Sequence, residues 1–194
     1  RTLGFDYGQK HRVELTQARS IAADAGVPFD VLDVTGTLGG SALTEHDKDV
    51  SAAHEKDAAL PASFVPGRNA LFLSLAASHA YRHDITDLAC GMCQTDYSGY
   101  PDCRRTFIDA MATSLSLALD ADVRIHTPLM YLTKAQTWKL ANDLGVLETV
   151  RTESHTDYNG DRSTLHEWGY GKLDNPASKL RAKGYREAKK KGWV

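Results

Sequence analysis

Strand-sized apolar runs alternate with helix-sized amphipathic runs along this chain, and that alternation constrains the fold more than any other feature. Residues 2–6 (TLGFD) read as a strand ending at Tyr7-Gly8. Val13, Leu15, Ala18, Ile21, Ala22 and Ala25 follow at helical spacing across 11–25, and Gly26 is the stop. Pro28 opens a short strand over 29–34. Residues 45–60 (EHDKDVSAAHEKDAAL) are polar with no apolar stripe and read as an exposed loop or a lid. The alternation then resumes with a Leu- and Ala-rich helix over 69–79, a buried-type strand over 85–93 and a turn-rich segment over 94–102. An amphipathic helix over 107–119, a strand over 123–126 and a helix over 133–144 come next. Thr133 is the expected cap of that last helix and Gly145 its stop. Residues 148–175 read as irregular, and 177–190 as a basic helix. The order predicts an α/β fold, a parallel sheet with helices on both faces, followed by a small irregular and helical C-terminal region. Such sheets bind ligands outside the carboxyl ends of their strands. That places Tyr7, Gly8 and Gln9, then 94–102, then 127–129 on one rim.

Composition narrows the class. With 42% hydrophobic and 25% charged residues in 194, the chain is an ordinary globular domain, neither disordered nor low-complexity. A net charge of −2 gives no global attraction to nucleic acid or membrane. The basic residues from Lys179 to Lys191 suit either a phosphate partner or a solvated helix face. Three cysteines make no disulfide framework. No apolar run approaches the ~20 residues that span a bilayer, so the expectation is a cytoplasmic protein. Residue 1 is Arg and the chain opens inside a strand, so the further expectation is a native chain that extends upstream.

Four segments carry chemistry. QTDYSGYPDCR (94–104) gathers Asp96, Asp102, Tyr97, Tyr100, Cys103 and Arg104 between a strand and a helix. Carboxylates there can accept N–H groups from a purine-like edge, and the phenol rings can stack on a flat base. The plainer reading is a capped turn. Cys103 stands at a helix start beside Arg104 and Arg105, where dipole and cations favour a thiolate. In VPGRN (65–69), Gly67 allows close backbone approach, Asn69 can cap, and Arg68 suits a phosphate or carboxylate; an ordinary cap with a surface arginine fits equally. In HTPLMYLTKA (126–135), Lys134 in a first helical turn opposes the helix dipole, which points to a phosphate partner or else to a surface lysine. Cys90-Gly91-Met92-Cys93 is a single C-x-x-C without a second pair, and buried structural thiols explain it. His155, Asp157, Asp161 and His166 have metal-binding chemistry but fit no spacing template.

FDYGQKHRVEL (5–15), GGSALT (39–44), FVPGRN (64–69), TDYSGYPDCRRTFIDA (95–110) and HTPLMYLTKA resemble, in order, the motifs of the 7-cyano-7-deazaguanine synthase family. That family is the QueC branch of the PP-loop, or N-type ATP pyrophosphatase, superfamily. The resemblance covers nearly the whole chain and implies a Rossmann-like domain over 1–147 and a C-terminal region over 148–194. It implies an ATP-dependent ligase that converts 7-carboxy-7-deazaguanine and ammonia to the nitrile through adenylated intermediates. The expected partners are these small molecules, with ATP and Mg2+ and without nucleic acid or membrane, in a homodimer. Asp96, Tyr97, Tyr100, Asp102, Arg104 and Asn69 would bind the base; Arg68 and Lys134 would neutralise phosphate or carboxylate. Cys103 joins them at the reacting end, and Phe5, Tyr7 and Gln9 would line the adenine side.

The sequence departs from the family pattern in two places. The superfamily's SGGxDS phosphate loop is absent from these residues, and its place would be some thirty residues before Arg1. The family's four zinc-binding cysteines align with Asp157, Lys172, Asn175 and Ser178, so no structural zinc is expected. Packing of Trp168, Tyr170 and Tyr185, or a dimer interface, would supply the lost stability. Two alternatives stay open: attachment of an activated deazaguanine to another acceptor, and a non-catalytic deazaguanine-binding homologue.

Overall fold

The computed structural model describes residues 1–10, 12–45, 53–54, 57–95 and 100–194. The element order is β1 (Thr2–Asp6), α1 (Val13–Asp24), β2 (Phe29–Asp33), β3 (Ala53–His54), β4 (Asp57–Pro61), α2 (Arg68–Tyr81) and β5 (Asp87–Ala89). A 3-10 turn at Pro101–Cys103 leads into α3 (Arg105–Leu119), β6 (Arg124–His126), α4 (Lys134–Asp143), α5 (Leu147–Thr152), β7 (Leu165–His166), β8 (Gly169–Tyr170) and α6 (Pro176–Lys190). These group into two compact units, Arg1–Val65 with Thr133–Val194, and Pro66–Leu132. Among the described residues, no helix is long and apolar enough to cross a membrane.

The alternation of strand and helix yields parallel pairing in both units. β1 runs parallel to β2, from Thr2 opposite Phe29 to Asp6 opposite Asp33. β5 runs parallel to β6, from Asp87 opposite Arg124 to Ala89 opposite His126. The strand expected over 85–93 is shorter than its apolar run. Its partner β6 ends ahead of Pro128, which has no N–H to continue a ladder. Only Leu88 packs on the core, while Asp87 and Ala89, on the other side of the pleat, are exposed.

Two expected irregular stretches contain regular structure. Within 45–60, an antiparallel pair forms between β3 and β4; residues 46–52 and 55–56, with the lid expected there, lie outside the described residues. Within 148–175, α5 and the antiparallel pair β7–β8 form. Such short ladders need backbone hydrogen bonds but no apolar stripe, so periodicity does not reveal them.

The Pro66–Leu132 unit closes on Leu73 and Ala77 of α2, Ile108 and Leu115 of α3, and Val123, Ile125 and Met130. The other unit has a core of Ala135, Trp138, Trp168, Ala182 and Ala188, built mainly where α4 meets α6. Tyr185 meets Trp138 edge-on with centroids 5.1 Å apart, and the Trp138 indole N–H donates to Arg181 O at 3.3 Å. Arg181 is itself buried. Its guanidinium donates to Trp168 O and Val150 O at 2.7 Å, and to the Ser154 and Thr156 hydroxyls at 2.9 Å. Burial lowers its pKa to about 10, and these neutral acceptors compensate the desolvated cation.

α6 lies close against the start of α4 at Gly184. A Cβ there would stand 2.5 Å from Lys134 Cβ and 3.0 Å from its carbonyl carbon. The expected outcome for Gly184→Ala is a loss of about 1–3 kcal/mol in urea unfolding, because the helices must part. An unchanged midpoint would contradict this tight contact.

Candidate active site

In the Pro66–Leu132 unit, two of the sequence motifs meet at the start of α2. The helix is preceded by Gly67, whose φ of +71° is left-handed and which brings no side chain to cap the first turn. The sequence reading offered Asn69 as that cap. The structure puts Asn69 inside the helix instead, and the cap comes from Asp102: its Oδ2 accepts the Asn69 backbone N–H at 3.1 Å. The Asn69 side chain answers by donating to Asp102 O at 3.1 Å and to Cys103 Sγ at 3.4 Å. Asn69 and Asp102 are both buried. A carboxylate at a helix N-terminus is favoured by the dipole and by the unpaired N–H groups there. Asp102 therefore reaches back to α2, where the plain-turn reading had it serve the helix that follows.

Pro101 opens the 3-10 turn that presents Asp102 and Cys103, and Arg104, in an extended conformation, leads into α3. Arg104 is exposed and Tyr100 half-buried. Asp96 and Tyr97 lie outside the described residues.

The rim expected at the carboxyl ends of β5 and β6 is laced by specific bonds. Cys90 N–H donates to His126 O and Gln94 N–H to Met130 O, both at 2.9 Å. Cys93 Sγ lies 3.2 Å from Leu132 O, and the Thr95 hydroxyl donates to the same carbonyl. Arg105 ties α3 to both strand ends. Its N–H donates to Gln94 Oε1 at 2.9 Å and its Nη1 to Thr127 Oγ1 at 3.0 Å, while Asp109 holds the guanidinium from the next turn. Sequence reasoning missed Arg105 in this role. Its signal was an arginine four residues ahead of an aspartate.

The three cysteines are thiols, none of them in a disulfide. Burial pushes the Cys90 thiol up, which disfavours its thiolate.

In the other unit, the end of β1 forms a compact turn. Gln9 Oε1 accepts Tyr7 N–H at 2.9 Å, and Gln9 Nε2 donates to Phe5 O at 3.4 Å. Asp6 accepts Gly8 N–H at 3.3 Å and pairs with Arg12 at 2.9 Å. Thr133 caps α4 as expected, in a reciprocal capping box with Gln136, and Lys134 is the first helical residue. Ser41 of GGSALT is buried and donates to Ala62 O at 3.0 Å.

The four metal-type residues of the C-terminal region do not form one ligand cluster among the described residues. His155 Nε2 bonds to Asp157 O at 3.0 Å, Asp161 pairs with the Lys172 ammonium at 2.8 Å, and His166 stacks on Trp168.

The model of the family described as queuosine biosynthesis protein QueC matches residues 1–189. The chain belongs to the QueC family. A relative from Wolinella succinogenes is 49% identical over 186 residues, covering 94% of this chain and 80% of that protein. One from Rhodopseudomonas palustris is 47% identical over 198 residues, with 96% and 83% covered. One from Acidovorax sp. is 47% identical over 199 residues, with 96% and 82% covered. All three are named 7-cyano-7-deazaguanine synthase. In this QueC-family chain, Asn69, Asp102 and Cys103 form one hydrogen-bonded node, and Phe5, Tyr7 and Gln9 form another; the first lies in the Pro66–Leu132 unit and the second, with Lys134, in the other.

Asn69→Ala removes both side-chain bonds of the first node and leaves the buried Asp102 carbonyl without that donor. The expected cost is about 1–3 kcal/mol in chemical denaturation. No change in stability would show that the node holds nothing.

Proposed function

We propose that this chain is an ATP-dependent C–N ligase. It converts 7-carboxy-7-deazaguanine and ammonia to 7-cyano-7-deazaguanine, the product that its relatives' names give. The observation that carries the reading is the family match across residues 1–189. The meeting of two matched motifs at Asn69, Asp102 and Cys103 supports it. In this reading, 1–147 is a Rossmann-like nucleotide domain with helices on both sheet faces, and 148–194 is its C-terminal region.

The chemistry needs two activations. The substrate carboxylate attacks ATP, pyrophosphate leaves, and ammonia displaces AMP to give an amide. The amide oxygen is adenylated in turn, and loss of AMP and a proton leaves the nitrile. The Asp102 oxygen bonded to Asn69 fixes the carboxylate plane, and its other oxygen accepts an N–H from the deazaguanine edge. Tyr100 and Tyr97 supply stacking faces, Asp96 a second acceptor, and Arg104 a cation for the substrate carboxylate. Arg68 and Lys134 balance the charge that builds on phosphate and carboxylate. Cys103, its sulfur held by Asn69 at 3.4 Å, stands at the reacting end of the site, where it holds the substrate rather than bonding to it. Phe5, Tyr7 and Gln9 line the adenine side, with Mg2+ accompanying the ATP phosphates. A cytoplasmic homodimer that meets neither nucleic acid nor membrane fits this metabolite chemistry.

The test is incubation of the full-length native protein with 7-carboxy-7-deazaguanine, Mg-ATP and ammonium, read by mass spectrometry. The expected product is the free nitrile. Lys134→Ala should lower kcat/KM by about 100-fold, with folding preserved because the site on α4 is capped by Thr133. A deazaguanine found only on another acceptor, or no turnover at all, would overturn the reading.

A further inference from the structure

Among the described residues, three of the most deeply buried side chains are polar and belong to one cluster: Asp157 is 1% exposed, Asn175 0% and Ser178 0%. They join three stretches, the loop after Thr156, the turn after β8, and the first turn of α6. Asp157 is the centre. Its Oδ2 accepts the Ser178 hydroxyl at 2.7 Å and Lys172 N–H at 2.9 Å, and its Oδ1 accepts Asn159 N–H at 2.7 Å. Asn175 caps α6 by accepting Ser178 N–H at 3.0 Å, and donates to Asp174 at 3.0 Å. The turn comes close because Gly171 has a φ of +125°. A Cβ there would stand 2.9 Å from both Cβ and Oδ2 of Asp157.

These are the positions where the family resemblance implies a four-thiolate zinc, and the residues present do not fit one. Oxygen ligands of tetrahedral zinc, each about 2.1 Å from the ion, stand about 3.4 Å apart. Ser178 Oγ and Asp157 Oδ2 are 2.7 Å apart, a hydrogen-bond distance with the hydroxyl proton between them. The Asn175 oxygen is already taken by Ser178 N–H. Lys172 contributes its backbone, while its ammonium reaches Asp161 at 2.8 Å. Burial pushes the Asp157 carboxyl up, but the hydrogen bonds from Ser178, Asn159 and Lys172 outweigh it and keep it below the ordinary value. The carboxylate is thus buried with its acceptors occupied, which removes most of the cost of burying it.

We infer that the C-terminal region of this chain closes without a metal, on a buried carboxylate at Asp157 that gathers Ser178, the Asn175 cap and two backbone N–H groups. The closure uses no thiolate, so it is indifferent to chelators and to oxidation. It replaces coordination bonds with short-range hydrogen bonds across the same three stretches. Of the aromatic residues expected to compensate, Tyr185 packs on Trp138, Trp168 stacks on His166 and Tyr170 lies under the Arg162 guanidinium, all outside this cluster.

The experiment measures zinc by elemental analysis in protein purified without chelator from zinc-supplemented cells, and the thermal midpoint with and without EDTA. The expected result is no stoichiometric zinc and an unchanged midpoint. Ser178→Ala, which removes the side-chain donor but keeps the helix cap, should lower the midpoint by about 5 °C. One zinc per chain, destabilisation by EDTA, or an unchanged midpoint in Ser178→Ala would each overturn the inference. The zinc and EDTA measurements use the wild-type protein and stand even if the variant fails to fold.

Discussion

The bond from the Asn69 N–H to the Asp102 carboxylate governs the candidate site. α2 starts behind a glycine and has no side-chain cap of its own. The cap arrives from 33 residues further along the chain. It couples the helix start to the 3-10 turn, so Asp102, Cys103 and Arg104 cannot shift without uncapping α2. A charged cap of this kind is worth about 1 kcal/mol or more. The Asn69 amide repays it by holding the turn's carbonyl and sulfur. The PGRN and PDCR motifs are therefore two halves of one object, and each makes little sense alone. Arg105 extends the same order to the strand ends by bonding Gln94 and Thr127.

Much of this was legible in the sequence where the signal is local. Thr133 and Gln136 form the capping box that their spacing allows, and Gly26 and Gly145 follow their helices with positive φ. The helical periods of α2 and α3 point Leu73, Ala77, Ile108 and Leu115 into one core. What sequence could not reveal is set by distant partners. Asn69 looks like a cap because of its residue type, and only the fold shows that Asp102 holds that place. The strand after Ile85 looks long because its apolar run is long, yet Pro128 across the ladder shortens it. β7 and β8 are two residues each and leave no periodic trace.

The C-terminal region shows the same division. From sequence, Asp157, Lys172, Asn175 and Ser178 register as missing cysteines, and Asp157 also as one of four residues with metal-binding chemistry. In three dimensions three of them form a saturated hydrogen-bond cluster, and the fourth turns its charge outward to Asp161. Composition alone cannot separate a ruined metal site from a rebuilt polar one. The difference lies in whether each buried donor meets an acceptor, and here the Asp157 oxygens receive three. Nearby, Arg181 follows the same rule with neutral acceptors, giving α6 a second polar anchor.

The central claim is that Asp102 both builds this site and reads the deazaguanine. Asp102→Asn tests it most directly, because asparagine keeps an oxygen to accept the Asn69 N–H but offers the substrate an amide in place of a carboxylate. Equilibrium binding of 7-carboxy-7-deazaguanine, measured beside stability, separates the two roles. The account predicts affinity weakened by about 100-fold with stability changed by about 1 kcal/mol or less. Wild-type affinity in the folded variant would contradict it.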